Sequence, residues 1–186
     1  GKNRNFGLYS WPESKKGQLK VTGYEHKSSS ASPLTKEVQD ILFRMVSENK
    51  EESEISDKIR NISLKLKNGE YSPKEIAPFG KLGKENYAGV PPMAARGMIY
   101  YNEHLNDGIS FRLGESAQWL YVAETPEDLP HTVSISFRED KDLEGFKIDY
   151  NQCVSKYIRA KIDTIYKELD WDIDYACGEK VAKKYW

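Results

Sequence analysis

The sequence predicts an α+β fold in which a helical body carries an N-terminal β-hairpin, with short antiparallel strands inserted before a long C-terminal helix. Three observations support this prediction. Two N-terminal segments alternate apolar and polar residues around a turn, as the two arms of a hairpin do. Apolar residues then recur at helical spacing in three central segments and in one long C-terminal segment. Between the last two of these segments the alternation returns in three short runs, which indicates strands.

The hairpin is predicted over residues 4–10 (RNFGLYS) and 18–25 (QLKVTGYE). The two segments flank WPESKKG, whose proline and glycine are typical of a turn.

The first predicted helix follows HKSSSASP, with Ser32 as its N-cap and Pro33 at its first position. Its apolar stripe consists of Leu34, Val38, Ile41, Leu42, Met45 and Val46. The second helix covers 51–67 and ends at NGEYSP, where a glycine and a proline stop it. Its apolar stripe consists of Ile55, Ile59, Ile62 and Leu66.

The third predicted helix covers 91–106, begins with two prolines and ends at NDG. Strands are then predicted at ISFRL (109–113), QWLYVA (118–123) and TVSISF (132–137). Asp149 is the expected N-cap of the last helix. The apolar stripe of that helix consists of Tyr150, Val154, Tyr157, Ile158, Ile162, Ile165 and Leu169.

Composition narrows the class of protein. The 186 residues, 38% hydrophobic and 31% charged, fit a soluble globular protein of one domain or two small ones. No apolar run approaches the roughly 20 residues of a membrane helix, so we expect no membrane contact. Cys153 and Cys177 are widely spaced, which argues against a zinc site or disulfide framework and favours a reducing, cytoplasmic location. The chain starts at Gly1 without a methionine or an apolar leader, so we expect a piece of a longer protein.

The net charge of −1 hides a gradient along the chain. Residues 1–36 contain only Glu13 and Glu25 as acids, and the last third of the chain is rich in acids. The basic residues of the first segment are Lys2, Arg4, Lys15, Lys16, Lys20, Lys27 and Lys36. This asymmetry indicates a face for an anionic partner such as nucleic acid, and the alternative is an ordinary solvated surface.

No self-contained catalytic or metal site is predicted. DWDIDY (170–175) begins like a calcium loop, but Tyr175 and Val181 stand where such a loop needs glycine and glutamate. A solvated turn is therefore the favoured interpretation. The three histidines are far apart in sequence, and GKLGKENYAG lacks the Gly-Lys-Ser/Thr end of a phosphate-binding loop.

Four motifs in order carry a resemblance to a known family. Lys2-Asn3-Arg4-Asn5-Phe6 is similar to a Lys-Lys-Arg/Lys-Tyr motif, and Lys20, Gly23 and Glu25 match an x-Lys-x-x-Gly-x-Glu strand. SSSASP then introduces the helices, and PPMAARGMIYY is similar to a Pro-x-His-Ile-Arg-Gly helix start. The chain resembles the C-terminal end of a family B DNA polymerase, most closely the bacteriophage type. It departs from the family pattern at Asn3 and Asn5, and at Ala94 or Ala95, where phage polymerases often carry histidine.

The resemblance implies a domain organisation and an activity. Residues 1–31 would be the end of the palm and 32–186 the thumb, with a strand insertion at about 109–138. The full-length protein would be a DNA-directed DNA polymerase with two Mg²⁺ ions on palm aspartates upstream of Gly1. This fragment would contain no cofactor and no catalytic residue, and it would be inactive alone.

The implied role of the fragment is to grip primer–template duplex DNA by its phosphates. The expected DNA-binding residues are Lys2, Arg4, Lys20, Lys27, Ser28, Ser29, Arg96 and Gly97. Two alternatives stay open: the serines are a flexible linker into the first helix, and PPMAARG is a proline-capped core helix with an exposed arginine. In the favoured interpretation, Arg96 and the free amides face a phosphate, and Gly97 lets backbone approach closely.

Two further possibilities remain open. The C-terminal KKYW matches the position at which phage polymerases carry a peptide that binds a sliding clamp, but a frayed terminus explains it equally well. The alternative function of the whole chain is a stand-alone α+β nucleic-acid-binding or protein-interaction domain without catalytic activity.

Overall fold

The structure is a computed structural model that describes residues 3–106 and 108–180. It has the predicted α+β fold, with an N-terminal hairpin, a helical body, a small antiparallel sheet and a long C-terminal helix.

The hairpin is formed by β1 (Asn5–Leu8) and β2 (Leu19–Thr22), which pair antiparallel. Phe6 and Val21 are opposite each other on the face that packs inward, and the Phe6 ring stacks on Phe43 with centroids 4.6 Å apart. Gly23 follows β2 with a φ of +79°, and a Cβ there would lie 2.5 Å from the Asn3 carbonyl oxygen. The motif glycine is therefore required by the close approach of the two ends of the hairpin.

The first two predicted helices are confirmed as α1 (Pro33–Ser47) and α2 (Glu52–Lys67). The Ser32 hydroxyl caps α1 by accepting a hydrogen bond from the Thr35 amide at 3.4 Å. A short helix, α3 (Pro73–Ile76), follows and was not predicted.

The sheet is wider than the predicted insertion at 109–138. It contains β3 (Phe79–Lys81), β4 (Ser116–Glu124) and β5 (Ser134–Phe137) in that order, and β6 (Lys147–Ile148) pairs with the far end of β4. All of these pairings are antiparallel. The sheet therefore recruits segments from both sides of the predicted insertion.

The strand predicted at 109–113 is wrong. Its central residue, Phe111, donates its amide hydrogen bond to the Asn102 Oδ1 atom at 2.7 Å and accepts one from Asn102 Nδ2 at 2.9 Å. The Phe111 ring is buried against Tyr101 in a small second core. Because the Asn102 side chain satisfies both the N–H and the C=O of Phe111, this apolar segment packs without joining the sheet.

The third predicted helix is α4 (Met93–His104), which begins two residues later than expected, with Pro92 at its N-cap. It packs on one face of the sheet: the Ser134 and Ser136 hydroxyls donate to the carbonyls of Met93 and Ala94 at 2.9 and 3.3 Å.

The long C-terminal helix comprises α5 (Tyr150–Cys153), a π-helical segment (Val154–Arg159) and α6 (Ala160–Glu168). Asp149 caps it as predicted, accepting from the Gln152 amide at 2.9 Å. The π-helical segment was not predicted. Two side chains of α1 bind carbonyls around it: the Thr35 hydroxyl donates to Tyr157 O at 2.6 Å, and Gln39 Nε2 donates to Lys161 O at 3.1 Å.

The last described helix, α7 (Ile173–Ala176), packs against α2. The main core lies between the inner face of the hairpin, α1, α2, the sheet and the C-terminal helix, and the second core lies under α4. Within the described ranges, no helix combines the length and the apolar character that a membrane crossing requires.

Candidate nucleic-acid interface

Three cations of the hairpin and its exit turn are exposed and have no acidic partner among the described residues. Lys20 projects from the outer face with its ammonium 5.8 Å from the centre of the Tyr9 ring. Arg4 lies at the open end of the hairpin with its guanidinium 5.6 Å from the centre of the Tyr24 ring. Lys27 ends a 3₁₀ turn, Glu25–Lys27, that leads away from the hairpin. In the described part of the chain, none of these three cations forms an ion pair, so each is available to an anion.

Lys2 and Lys16 are two further basic residues of the first segment. Lys2 lies outside the described residues. At the hairpin tip, Lys16 pairs with Glu13 at 3.2 Å, so the tip is partly neutralised.

The serine loop (residues 28–31) is held by hydrogen bonds. The hydroxyls of Ser28 and Ser30 are 2.8 Å apart, and the Phe79 amide at the start of β3 donates to Ser30 O at 3.0 Å. These bonds favour a positioned loop over the flexible linker that the sequence left as an alternative. Ser29 is exposed at its centre.

The serine loop forms one wall of a cleft, the serine cleft, of about 390 Å³. It is lined by Ser29, Ser30, Phe79, Gly80, Lys81 and Ser116. Small hydroxyl residues, a glycine and an exposed lysine are a surface that a sugar–phosphate backbone can approach closely. Lys81 and Ser116 were missed because nothing in the sequence predicts that β3 and β4 lie beside residues 28–31.

Glu25 fixes the exit of the hairpin. Its carboxylate accepts hydrogen bonds from Lys161 Nζ at 3.2 Å and from Gln39 Nε2 at 3.4 Å. Burial acts to raise its pKa, but bonds from its own amide, Lys161 and Gln39 outweigh burial, and the pKa is lowered. The ionised Glu25 carboxylate therefore binds the exit of the hairpin to Gln39 of α1 and Lys161 of α6.

Gly97 has a packing role that the sequence did not predict. It is buried, and a Cβ at this position would lie 2.7 Å from the Ser136 amide nitrogen and 2.9 Å from the Ile135 carbonyl carbon. The close backbone approach that the glycine allows is therefore to β5. The expected close approach of this backbone to a phosphate stays a prediction.

Arg96 is half-buried beside a shallow groove of about 250 Å³ that Pro91 and Glu103 also line. No ion pair of Arg96 occurs within residues 3–106 and 108–180. The two neighbouring residues therefore have different environments: Arg96 reaches the surface, and Gly97 packs against the sheet.

Two of the three aspartates of DWDIDY, Asp172 and Asp174, have structural partners. Asp172 caps α7 by accepting from the Tyr175 amide at 3.1 Å, and Asp174 pairs with Arg159 at 2.8 Å. Lys180 lies 3.0 Å from Asp172 and 3.6 Å from Asp174. Among the residues that the structure describes, no three or more His, Cys, Asp or Glu side chains are grouped to hold a metal ion.

The fold matches part of a family B DNA polymerase. One similar structure is the family B DNA polymerase from the hyperthermophilic archaeon Pyrobaculum calidifontis, with a TM-score of 0.57 and 16% sequence identity. The match covers 78% of this chain and 18% of that chain, so this chain corresponds to a small part of the polymerase. At this identity the likeness is one of fold. No protein-family model and no curated protein matches the sequence.

Proposed function

We propose that the chain is the C-terminal part of a family B DNA polymerase of the bacteriophage type, with residues 1–31 ending the palm and 32–186 forming the thumb. In this proposal it grips primer–template duplex DNA during template-directed synthesis. The observation that carries the proposal is that, in a chain with this fold, the exposed cations Arg4, Lys20 and Lys27 have no ion pair in the described residues and are followed directly in sequence by the serine loop that lines the cleft.

The chemistry of this surface suits binding to any DNA sequence. A polymerase moves along its product and must hold all sequences alike, so its contacts go to phosphates and sugars. Arg4, Lys20 and Lys27 supply charge that no carboxylate neutralises in the described residues. The serine cleft adds hydroxyl groups and Lys81.

Catalysis belongs to the longer protein in this proposal. Its two Mg²⁺ ions would be held by palm aspartates outside this sequence. The proposed location is the cytoplasm of a bacterium or a phage host. KKYW lies outside the described residues, and its sliding-clamp contact stays a prediction.

The proposal is tested by the binding of this chain to blunt duplexes of unrelated sequence, measured by fluorescence anisotropy over a range of salt concentrations. We expect similar affinities for all duplexes. The logarithm of the association constant should fall linearly with the logarithm of the salt concentration, by about 0.9 for each phosphate contacted. An absence of duplex binding, or an affinity that salt does not change, would contradict the proposal and favour a protein-interaction domain.

A further inference from the structure

A second groove, of about 300 Å³, lies on the other side of the serine loop. We call it the aromatic groove. It is bounded by Ser30 of the serine loop, by Trp119 and Tyr121 of β4, and by Lys156 and Tyr157 of the π-helical segment. Because Ser30 also lines the serine cleft, the two depressions are neighbours.

The walls of the aromatic groove combine flat rings with a free cation. Trp119 and Tyr121 are both half-buried, with ring centroids 4.9 Å apart in an edge-to-face arrangement. Lys156 is exposed and forms no ion pair within the described ranges. The other lysine of the groove, Lys161, is paired with Glu25. The site therefore offers aromatic surface and one available positive charge.

The π-helical segment gives independent support for a binding site. Such segments are rare and occur often at functional sites, because the altered hydrogen-bond pattern redirects side chains. Here the segment places Lys156 and Tyr157 in the groove, and the Thr35 hydroxyl holds it through the Tyr157 carbonyl at 2.6 Å.

We propose that the aromatic groove binds one unpaired nucleotide of a DNA strand, with the base against Trp119 and Tyr121 and a phosphate at Lys156. In the interior of a duplex both faces of each base are covered by neighbouring bases, so a base there cannot stack on a side chain, whereas an unpaired base can. A groove of this volume accommodates a small ligand and excludes a double helix. The inference rests on the proposed function, because it takes the serine cleft beside the groove as the duplex-binding face.

The test compares two labelled ligands: a single strand of about ten thymidines and a blunt duplex. For the single strand we expect Trp119→Ala to weaken binding about 5- to 150-fold, the range for loss of one stacked base, and Trp119→Phe to retain most of the affinity. Lys156→Ala should lower the salt slope for the single strand by about 0.7, the value of one phosphate contact. The matched control is Lys58→Ala, an exposed lysine of α2 that lines neither depression.

The affinity of every variant for the blunt duplex should equal that of the unsubstituted chain. Unchanged single-strand binding in Lys156→Ala would overturn the inference even if Trp119→Ala fails to fold, because Lys156 is exposed. An equal loss of single-strand and duplex binding would overturn it too. Either result leaves the proposed function intact so long as the unsubstituted chain binds the duplex.

Discussion

Replacing Gly97 by valine is expected to lower the free energy of unfolding by about 2–3 kcal/mol, the cost of overpacking a filled interior. A Cβ at this position would lie 2.7 Å from the Ser136 amide nitrogen and 2.8 Å from the Ser136 hydroxyl. Both atoms belong to β5, whose four residues are all buried, so the strand has little room to retreat. Chemical denaturation monitored by circular dichroism measures the change.

Gly89→Val is the matched control for this prediction. A Cβ at Gly89 would meet no atom within 4 Å, and the residue lies in an exposed loop before α4. We expect this variant to unfold at nearly the same denaturant concentration as the unsubstituted chain. If Gly97→Val left stability unchanged but abolished duplex binding, Gly97 would belong to the DNA interface, as the sequence first indicated.

Removing the three hairpin cations together, as Arg4→Ala, Lys20→Ala and Lys27→Ala, is expected to weaken duplex binding by several hundred-fold at about 0.1 M salt. A slope of about 0.9 per contact corresponds to roughly eightfold in affinity between 1 M and 0.1 M salt, and three contacts multiply. The salt slope itself should fall by about 0.9 for each contact. Anisotropy titrations of the three single variants and the triple variant measure both quantities.

The control for the cation variants is again Lys58→Ala, which should leave affinity and salt slope unchanged. Folding is not expected to change in the triple variant, because all three side chains are exposed and none forms an ion pair in the described residues. A triple variant that keeps both the affinity and the salt slope would show that the duplex lies elsewhere on the molecule.

The hairpin and the first two helices were predictable because their local signals agree with their packing. Phe6 and Val21 follow the alternation of a strand and are the residues that face the core. Ser32 and Pro33 are a cap and a first helical residue in the sequence and in the structure. In these elements, local conformational preference and burial in the core favour the same structure.

Other elements depend on contacts between distant segments and carry no local signal. β3 has only three residues, and its pairing is with β4, far along the chain. The segment 109–113 does not form the predicted strand, because the Asn102 side chain takes both backbone hydrogen bonds of Phe111. In the π-helical segment, the Tyr157 carbonyl accepts a hydrogen bond from the Thr35 hydroxyl. Apolar periodicity alone cannot reveal such bonds.

The candidate site, like the fold, was predictable only in part from the sequence. Its cations and serines were visible as a locally basic segment followed by hydroxyl residues. Lys81, Ser116, Trp119 and Lys156 come from later parts of the chain, and only the folded structure brings them beside the serine loop. Composition thus predicts an anionic ligand, and the fold delimits the proposed surface.

The central claim is that the serine loop lies against duplex DNA, and a cleavage reagent attached at Ser29 tests it directly. Burial raises the pKa of the Cys153 and Cys177 thiols to about 12, and both residues are fully buried. At neutral pH neither is a reactive thiolate, so an iron chelate will label an introduced surface cysteine selectively.

The chelate should be attached to Ser29→Cys and, as the control, to Lys58→Cys, and each labelled chain should be bound to an end-labelled duplex. The proposed function predicts cuts on both strands from position 29, spread along the duplex because binding does not depend on sequence, and no cuts from position 58. Duplex that is bound, as shown by its retarded migration, yet remains uncut from position 29 or is cut from position 58 would contradict the proposed interface.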